Sequence, residues 1–73
     1  MSTIEIPFQT LLGAALKQSP HLSRRELRVE THEGRVVLRG VVSSYYQKQM
    51  ATEIVRRVEG VERIENHLEV NWT

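Results

Sequence analysis

The stretch Arg35–Val42, which reads RVVLRGVV, decides the fold that the rest of the sequence must complete. Alternate residues of a β-strand point to opposite faces, so one face would carry the even-numbered residues and the other the odd-numbered ones. The even set is Val36, Leu38, Gly40 and Val42, and the odd set holds two arginines and two valines. Valines on both faces are typical of a strand with neighbours on both sides or a half-covered outer face. We therefore place this strand in the middle of the fold.

A second alternating run, Leu27–Thr31, lies just before this strand and predicts its antiparallel neighbour. Glu33 and Gly34 separate the two runs and form a turn, in which glycine supplies a positive φ angle. Inward residues are odd-numbered before the turn and even-numbered after it. That change of parity requires a loop of even length, most simply two residues.

The parity also predicts which residues of the two strands lie opposite each other. Val29 faces Leu38 on the core side of the sheet. On the outer face Arg28 lies opposite Arg39, an unfavourable pair of like charges.

Helical periodicity precedes the hairpin. Ile4–Gln18 is predicted to be the first helix, with Pro7 at its first helical position, where the missing N–H costs nothing. We expect Gly13 to let this helix approach the sheet closely, and Ser19 followed by Pro20 to end it. The apolar stripe of the helix consists of Phe8, Leu11, Leu12, Ala15 and Leu16.

A second helix is predicted after the central strand. It begins at a pair of serines, of which Ser44 forms a capping box with Gln47. Glu53 and Arg57 are spaced to form a favourable ion pair, and Gly60 is predicted to follow the C-cap of the helix. The apolar face comprises Tyr46 or Gln47, Met50, Ala51, Ile54, Val55 and Val58.

The third alternating run, Ile64–Val70, predicts a last strand with Asn66 on its inward side. A strand–helix–strand crossover is right-handed, which makes this strand parallel to the central one. The pattern leaves open whether it lies beside the first or the second strand. The predicted fold is α+β, a two-layer sandwich in the order α-β-β-α-β with two helices on one face of a three-stranded mixed sheet. Residues 1–73 are predicted to form a single domain.

Composition limits the classes of function. Ten basic and nine acidic residues give a formal charge of +1, which argues against a nucleic-acid-binding domain. The chain has no cysteine and its acidic residues are all glutamate, so thiolate sites and the commonest ligand of Mg²⁺ and Ca²⁺ are missing. No apolar run approaches the roughly 20 residues of a membrane span, and no signal peptide is recognised. We expect a cytoplasmic location if the chain is full length and a periplasmic one if it is an excised domain.

Residues suited to catalysis are scattered. His21, His32 and His67 fall on a connector, a strand end and the outer face of the sheet, without an HExxH motif or a cysteine partner. The serines and glycines match neither a nucleophile elbow nor a phosphate-binding loop. We therefore predict no enzyme activity, no cofactor and no metal site.

Arginines and tyrosines are the candidates for binding. One basic group begins on the connector and continues on the open sheet face, where it could hold phosphates. It comprises Arg24, Arg25, Arg28 and Arg39, and a second group comprises Arg56, Arg57 and Arg63. Tyr45 and Tyr46 lie at a helix start, where amphipathic rings could dock on lipid headgroups. The alternative is a charge-balanced, solvated sheet face, because four glutamates share it: Glu26, Glu30, Glu65 and Glu69.

The spacing from the first strand onward resembles the BON family (bacterial OsmY and nodulation domain), and Phe8–Leu16 fits the first helix of that family. The matching residues are Leu27, Val29, Gly34, Val36, Leu38, Gly40, Val42, Ala51, Ile54, Val58, Gly60, Val61, Ile64, Asn66, Leu68 and Val70. The resemblance identifies Gly40 with the central glycine of the family. It implies a non-enzymatic α/β domain that binds phospholipid or periplasmic surfaces, often as tandem modules or attached to other domains, with links to membranes and stress response.

The pattern and the resemblance together predict a non-catalytic binding module that attaches weakly to anionic phospholipid surfaces. Its predicted contacts are Arg24, Arg25, Arg28, Arg39, Tyr45 and Tyr46, and its structural motif is Gly34, Gly40, Gly60 and Asn66. The alternative is a soluble module that binds a protein or a small ligand through the open sheet face. Association with other domains or with further copies is compatible with either function.

Overall fold

The computed structural model describes residues 7–22 and 26–71, which form two helices and three strands. The elements are α1 (Phe8–Gln18), β1 (Arg28–His32), β2 (Arg35–Val42), α2 (Tyr45–Arg56) and β3 (Arg63–Val70). The strands lie in the order β1-β2-β3, with β2 antiparallel to β1 and parallel to β3. The predicted α+β fold is confirmed, and the central position of β2 explains the valines on both of its faces.

The hairpin between β1 and β2 has the predicted two-residue turn. Glu33 and Gly34 have φ angles of 49° and 83°, the positive values that a type I′ turn requires at both positions. Val29 pairs with Leu38, and Arg28 lies opposite Arg39, as the parity of the inward residues predicts.

The hydrophobic core lies between the two helices and one face of the sheet. Leu22, in the connector after α1, is 1% exposed and extends the core under that connector. Leu11 is 43% exposed, so it lies outside the core although it shares the predicted apolar stripe of α1. The buried cluster consists of Leu12, Leu16, Leu22, Val29, Val36, Leu38, Val42, Ala51, Val55 and Leu68.

Helix α1 differs from its prediction at two points. Pro7 is the N-cap and lies outside the helix, with ψ at 140°, and its carbonyl accepts hydrogen bonds from the N–H groups of Thr10 and Leu11. A Cβ added to Gly13 would meet no atom of another element within 4 Å, so this glycine does not mark a close approach to the sheet. Ser19 is the C-cap, as predicted. The predicted helical residues 4–6 lie outside the described part of the chain.

Helix α2 begins at the predicted cap residue Ser44, but one of the two capping hydrogen bonds involves Ser43. Ser44 Oγ accepts a hydrogen bond from the backbone N–H of Gln47 at 3.1 Å. Gln47 Oε1 accepts in return from the N–H and the hydroxyl of Ser43, at 2.7 and 2.9 Å, where a capping box would have it accept from Ser44. The reciprocal bond is therefore displaced by one residue.

The end of α2 also differs from its prediction. Arg57 is the C-cap, and Gly60 lies three residues beyond it, in the turn before β3, with φ at 100°. The helix ends before Gly60 because its last turn tightens to i→i+3 hydrogen bonds, from Arg57 to Ile54 among others. Glu53 pairs with Arg56 at 3.2 Å and does not form the predicted pair with Arg57. Both arginines adjoin Glu53 on the helix surface, and the i+3 position makes the contact.

Gly40 is closely packed, but its neighbour is the chain that leads into β1. A Cβ at Gly40 would lie 3.0 Å from the carbonyl oxygen of Glu26 and from Leu27 Cδ2. The inward parity of Gly40 predicts close packing where helix meets sheet, but the atoms nearest to that Cβ belong to the chain before β1. Glu26 and Leu27, just before the first cross-strand pair, therefore lie close against Gly40.

Candidate functional site

The sheet has one face under the helices and one face without a helix among the described residues, which we name the outer face. Alternation along the strands places Arg28, Glu30, His32, Arg35, Val37, Arg39, Val41, Arg63, Glu65, His67 and Glu69 on it. Val37, at the centre of β2, is 5% exposed, and its cross-strand neighbours are Glu30 and Glu65. The outer face is therefore a charged surface around a small buried valine centre.

The register arranges these charges in rows that cross the strands. The first row is basic and consists of His32, Arg35 and Arg63, and the second is acidic around its central valine and consists of Glu30, Val37 and Glu65. The third row returns to bases with Arg28, Arg39 and His67, and the fourth pairs Val41 with Glu69. The sign of the charge thus alternates along the strand direction.

Ion pairs link neighbouring rows. Arg35 Nε lies 2.7 Å from Glu65 Oε2, and Arg39 Nε lies 3.5 Å from Glu30 Oε2. The pair of Arg39 with Glu30 offsets the repulsion that the opposed Arg28 and Arg39 create. Arg35, Arg39 and Glu30 are at least half exposed and Glu65 is about one-third exposed, so solvent screens both pairs and each contributes little to stability.

Glu65 is the carboxylate at the centre of this network. His67 Nε2 lies 3.3 Å from Glu65 Oε1, and the hydrogen bond from that imidazole is the main reason why the pKa of Glu65 is lowered. The charges of Arg35 and Arg63 lower the pKa further, while desolvation opposes the shift. Glu65 is consequently ionised over a wider range of pH than an isolated glutamate.

A second exposed group lies where α2 begins. Tyr45 is 65% exposed and Tyr46 is 57% exposed. The ring of Tyr46 meets His21 edge to face, with ring centroids 5.3 Å apart. Gln47 Nε2 donates a hydrogen bond to the carbonyl of His21 at 3.0 Å, which holds the connector after α1 against the start of α2.

The topology brings these aromatic rings to the same end of the sheet as the third row. Strand β2 continues from Arg39 to its end at Val42, and α2 begins three residues later at Tyr45. Arg39 is three residues from the end of β2, about 10 Å along the strand. Val41, which lies on the outer face and between Arg39 and Tyr45 in the sequence, is 45% exposed. We name this region, formed by His21, Val41, Tyr45 and Tyr46, the tyrosine end.

The opposite end of the sheet carries a mixed-charge cleft. It has a volume of about 350 Å³ and is lined by His32, Glu33, Arg35, Glu62 and Arg63. The turn between β1 and β2 forms one wall, because the carbonyl of Gly34 accepts hydrogen bonds from the N–H groups of Glu62 and Arg63. Acidic side chains stand beside the bases here, so the cleft offers no concentrated positive charge.

A comparison with protein-family models finds the BON domain, matched over residues 8–71. The chain belongs to the BON domain family. The match includes both helices and all three strands described above, and it confirms the resemblance seen in the sequence. BON domains are a family of binding modules without catalytic function, and membership indicates a binding role with a lipid or a protein partner. No curated protein matches the chain.

Some of the predicted contact residues of this BON domain lie in the described part of the structure, and others lie outside it. Arg28 and Arg39 lie opposite each other on the outer face, and Tyr45 and Tyr46 lie at the nearby tyrosine end. Arg24 and Arg25 lie outside the described residues. The second predicted basic group lies at the far end of the sheet, at the end of α2 and the start of β3, and it consists of Arg56, Arg57 and Arg63.

Asn66 has a wider role in the BON domain than its inward parity indicates. Its Nδ2 donates hydrogen bonds to the carbonyl of Lys48 and to Thr52 Oγ1, both at 2.7 Å, and its Oδ1 accepts from the N–H of Leu68. The side chain thereby fixes α2, and with it the tyrosine end, against β3. The signal in the sequence is a polar residue at a position where the alternation predicts an apolar one.

Among residues 7–22 and 26–71, no cluster of three or more histidine, cysteine or acidic side chains could hold a metal ion. Neither of the two helices in this range has the length and apolar character needed to cross a bilayer.

Proposed function

We propose that this BON domain attaches weakly to anionic phospholipid surfaces through the tyrosine end and the neighbouring arginines. The observation that carries the proposal is the exposure of Tyr45 and Tyr46 at the end of the sheet where Arg28 and Arg39 form a basic row. Amphipathic rings favour the headgroup region of a bilayer, and guanidinium groups bind phosphate through paired hydrogen bonds.

The geometry suits a surface contact by one end of the domain. Val41 adds an exposed apolar side chain between the rings and the basic row. In the sequence, Arg24 and Arg25 belong to the connector that leads from His21 to β1. We include both arginines in the proposed contact, because β1, which follows them in the sequence, begins at the end of the sheet where α2 also begins.

The energetics favour weak binding. A basic residue near an anionic leaflet contributes about 1 kcal/mol, and four arginines set an upper limit of about 4 kcal/mol. Glu30 already holds Arg39, and Glu69 lies beside Val41 in the register, so the net attraction is smaller. Because exposed charges are screened by salt, binding should fade as the ionic strength rises above about 0.1 M.

Co-sedimentation with lipid vesicles tests the proposal. The domain is mixed with vesicles of phosphatidylcholine alone or with added phosphatidylglycerol, at low and at high salt. We expect binding to the anionic vesicles at low salt, little binding at high salt, and none to the zwitterionic vesicles. Replacing Arg28 and Arg39 by glutamine should weaken binding severalfold, and Tyr45→Ser with Tyr46→Ser should weaken what remains.

Two arginines at the far end of α2 provide a matched control for Arg28 and Arg39. Arg56→Gln with Arg57→Gln removes the same charge from the far end of α2, and it should leave binding to vesicles nearly unchanged. Equal losses in the two double variants would show an effect of net charge and contradict a defined contact. An absence of binding to anionic vesicles even at low salt would reject the membrane function and favour a protein partner.

A further inference from the structure

The outer face carries a charge pattern that is complementary to itself. Along β3 its residues read Arg63, Glu65, His67 and Glu69, and along β1, in the opposite direction, they include Glu30 and Arg28. β1 and β3 therefore alternate between base and acid in step with the rows across the sheet, while β2 alternates between arginine and valine. A second copy that met this face with its rows in reverse order would place acids over bases on β1 and β3, and valines over arginines on β2.

One symmetric arrangement produces that reversal. A two-fold axis in the plane of contact and perpendicular to the strands lays each strand antiparallel over its equivalent in the other copy. On β3, Arg63 then faces Glu69 of the second copy, and Glu65 faces His67 of the second copy. On β1, Arg28 faces Glu30 of the second copy. The other face-to-face two-fold, parallel to the strands, would place each row over its own equivalent and oppose like charges.

The charges without an ion pair inside the chain are the ones that this arrangement would pair. Among the described residues of the outer face, Arg28, Arg63 and Glu69 make no ion pair in the isolated chain, while the other arginines and glutamates do. Arg63 and Glu69 lie at opposite ends of β3, six residues or about 20 Å apart, so they cannot bind each other within one copy. Across the two-fold axis they would form two equivalent pairs.

We infer that the outer face is the interface of a weak, symmetric dimer of this domain. Three strands of at most eight residues offer a face of about 23 by 14 Å, well below the roughly 800 Å² per partner of a standard stable interface. Stacked sheets cross at about 30°, which long arginine and glutamate side chains can bridge. Association should therefore be weak, faster at low salt, and lost when salt screens the charges.

Exchange of charges between Arg63 and Glu69 tests this interface. Sedimentation equilibrium is measured on the domain at up to 1 mM, without lipid, at low and at high salt. We expect the unmodified domain to associate at low salt alone. Arg63→Glu and Glu69→Arg should each weaken self-association about tenfold or more, because each replaces two attractive contacts by two repulsive ones.

The decisive sample is the mixture of the two single variants. Glu at position 63 of one variant would face Arg at position 69 of the other, and the two native residues would form the second pair, so the mixture should associate again. The variant with both changes should also recover self-association. Circular dichroism and thermal melting of each variant show that the fold is retained.

Two results would overturn the inference. A native domain that stays monomeric at 1 mM and low salt has no such interface. Association that survives either single change, or a mixture that fails to restore it, would show that the contact lies elsewhere. The experiment contains no lipid, so its outcome is independent of membrane attachment.

Discussion

The side-chain carbonyl of Asn66 accepts a hydrogen bond from the backbone N–H of Leu68, with an N–O distance of 3.0 Å. The N–H groups of Arg63 and Asn71 both bond to carbonyls at the two ends of β2. Successive N–H groups of a strand point to opposite sides, so the N–H of Leu68 points to the free edge of β3. Asn66 therefore satisfies a donor at the sheet edge with its own side chain and also holds α2.

Asn66→Ala should lower stability, because it removes hydrogen bonds to Lys48 and Thr52 and leaves the N–H of Leu68 without its partner. We expect a loss of about 1–3 kcal/mol, measured by thermal or urea unfolding followed by circular dichroism. Glu69→Ala on the same strand is the control and should change stability by less than about 0.5 kcal/mol. Equal melting temperatures for Asn66→Ala and the native domain would contradict the role of this side chain.

Gly40→Val should also destabilise the domain. The φ angle of Gly40 is 141°, a conformation that side-chain-bearing residues rarely adopt, and a Cβ would lie 3.0 Å from the carbonyl of Glu26. Strain and crowding together should cost about 1–3 kcal/mol or more, measured by the same unfolding assay. A variant that melts within a degree of the native domain would refute the close packing.

Gly13→Ala, the matched substitution at another glycine, should stabilise the domain. This glycine lies inside α1, and the place of its Cβ is free of contacts with other elements. Alanine should raise the free energy of unfolding by up to about 1 kcal/mol, because it restricts the unfolded chain and favours the helix. A melting temperature below that of the native domain would show that α1 needs a glycine at this position.

The lowered pKa of Glu65 predicts a dependence of stability on pH. A carboxyl group with a lower pKa in the folded state adds stability above its unfolded pKa and loses that contribution as the pH falls through the folded value. The stability difference between the native domain and Glu65→Gln should therefore shrink between pH 7 and about pH 3. Urea unfolding across this range measures it, and Glu69→Gln is the control.

Removing the imidazole separates the causes of that shift. His67→Ala deletes the hydrogen bond that contributes most to the lowered pKa of Glu65, while Arg35 stays 2.7 Å from the carboxylate. An NMR titration of the Glu65 side chain should show its pKa rise towards the ordinary value in the variant. An unchanged titration would assign the shift to the arginines.

Alternation of apolar residues was sufficient to predict the hairpin. A strand repeats every two residues, so the parity of Val29 and Leu38 carries both the buried face and the length of the turn. Ser44 and Gln47 likewise identified the start of α2, because a cap is a local hydrogen bond. Alternation also placed Arg28 and Arg39 on the outer face. It did not decide the position of Tyr46, which also fitted the apolar face of α2 and is 57% exposed in the structure.

Only the tertiary structure shows the strand order and the contacts between residues that are distant in the sequence. Alternation left open whether β3 lies beside β1 or beside β2, and the structure places it beside β2. Asn66 bonds to residues 14 and 18 positions away, and Gly40 meets the chain before β1, a contact that forms only when the hairpin closes. The order of charges in rows across the outer face likewise requires the register between β2 and β3, because a strand alone fixes the direction of a side chain but not its neighbour.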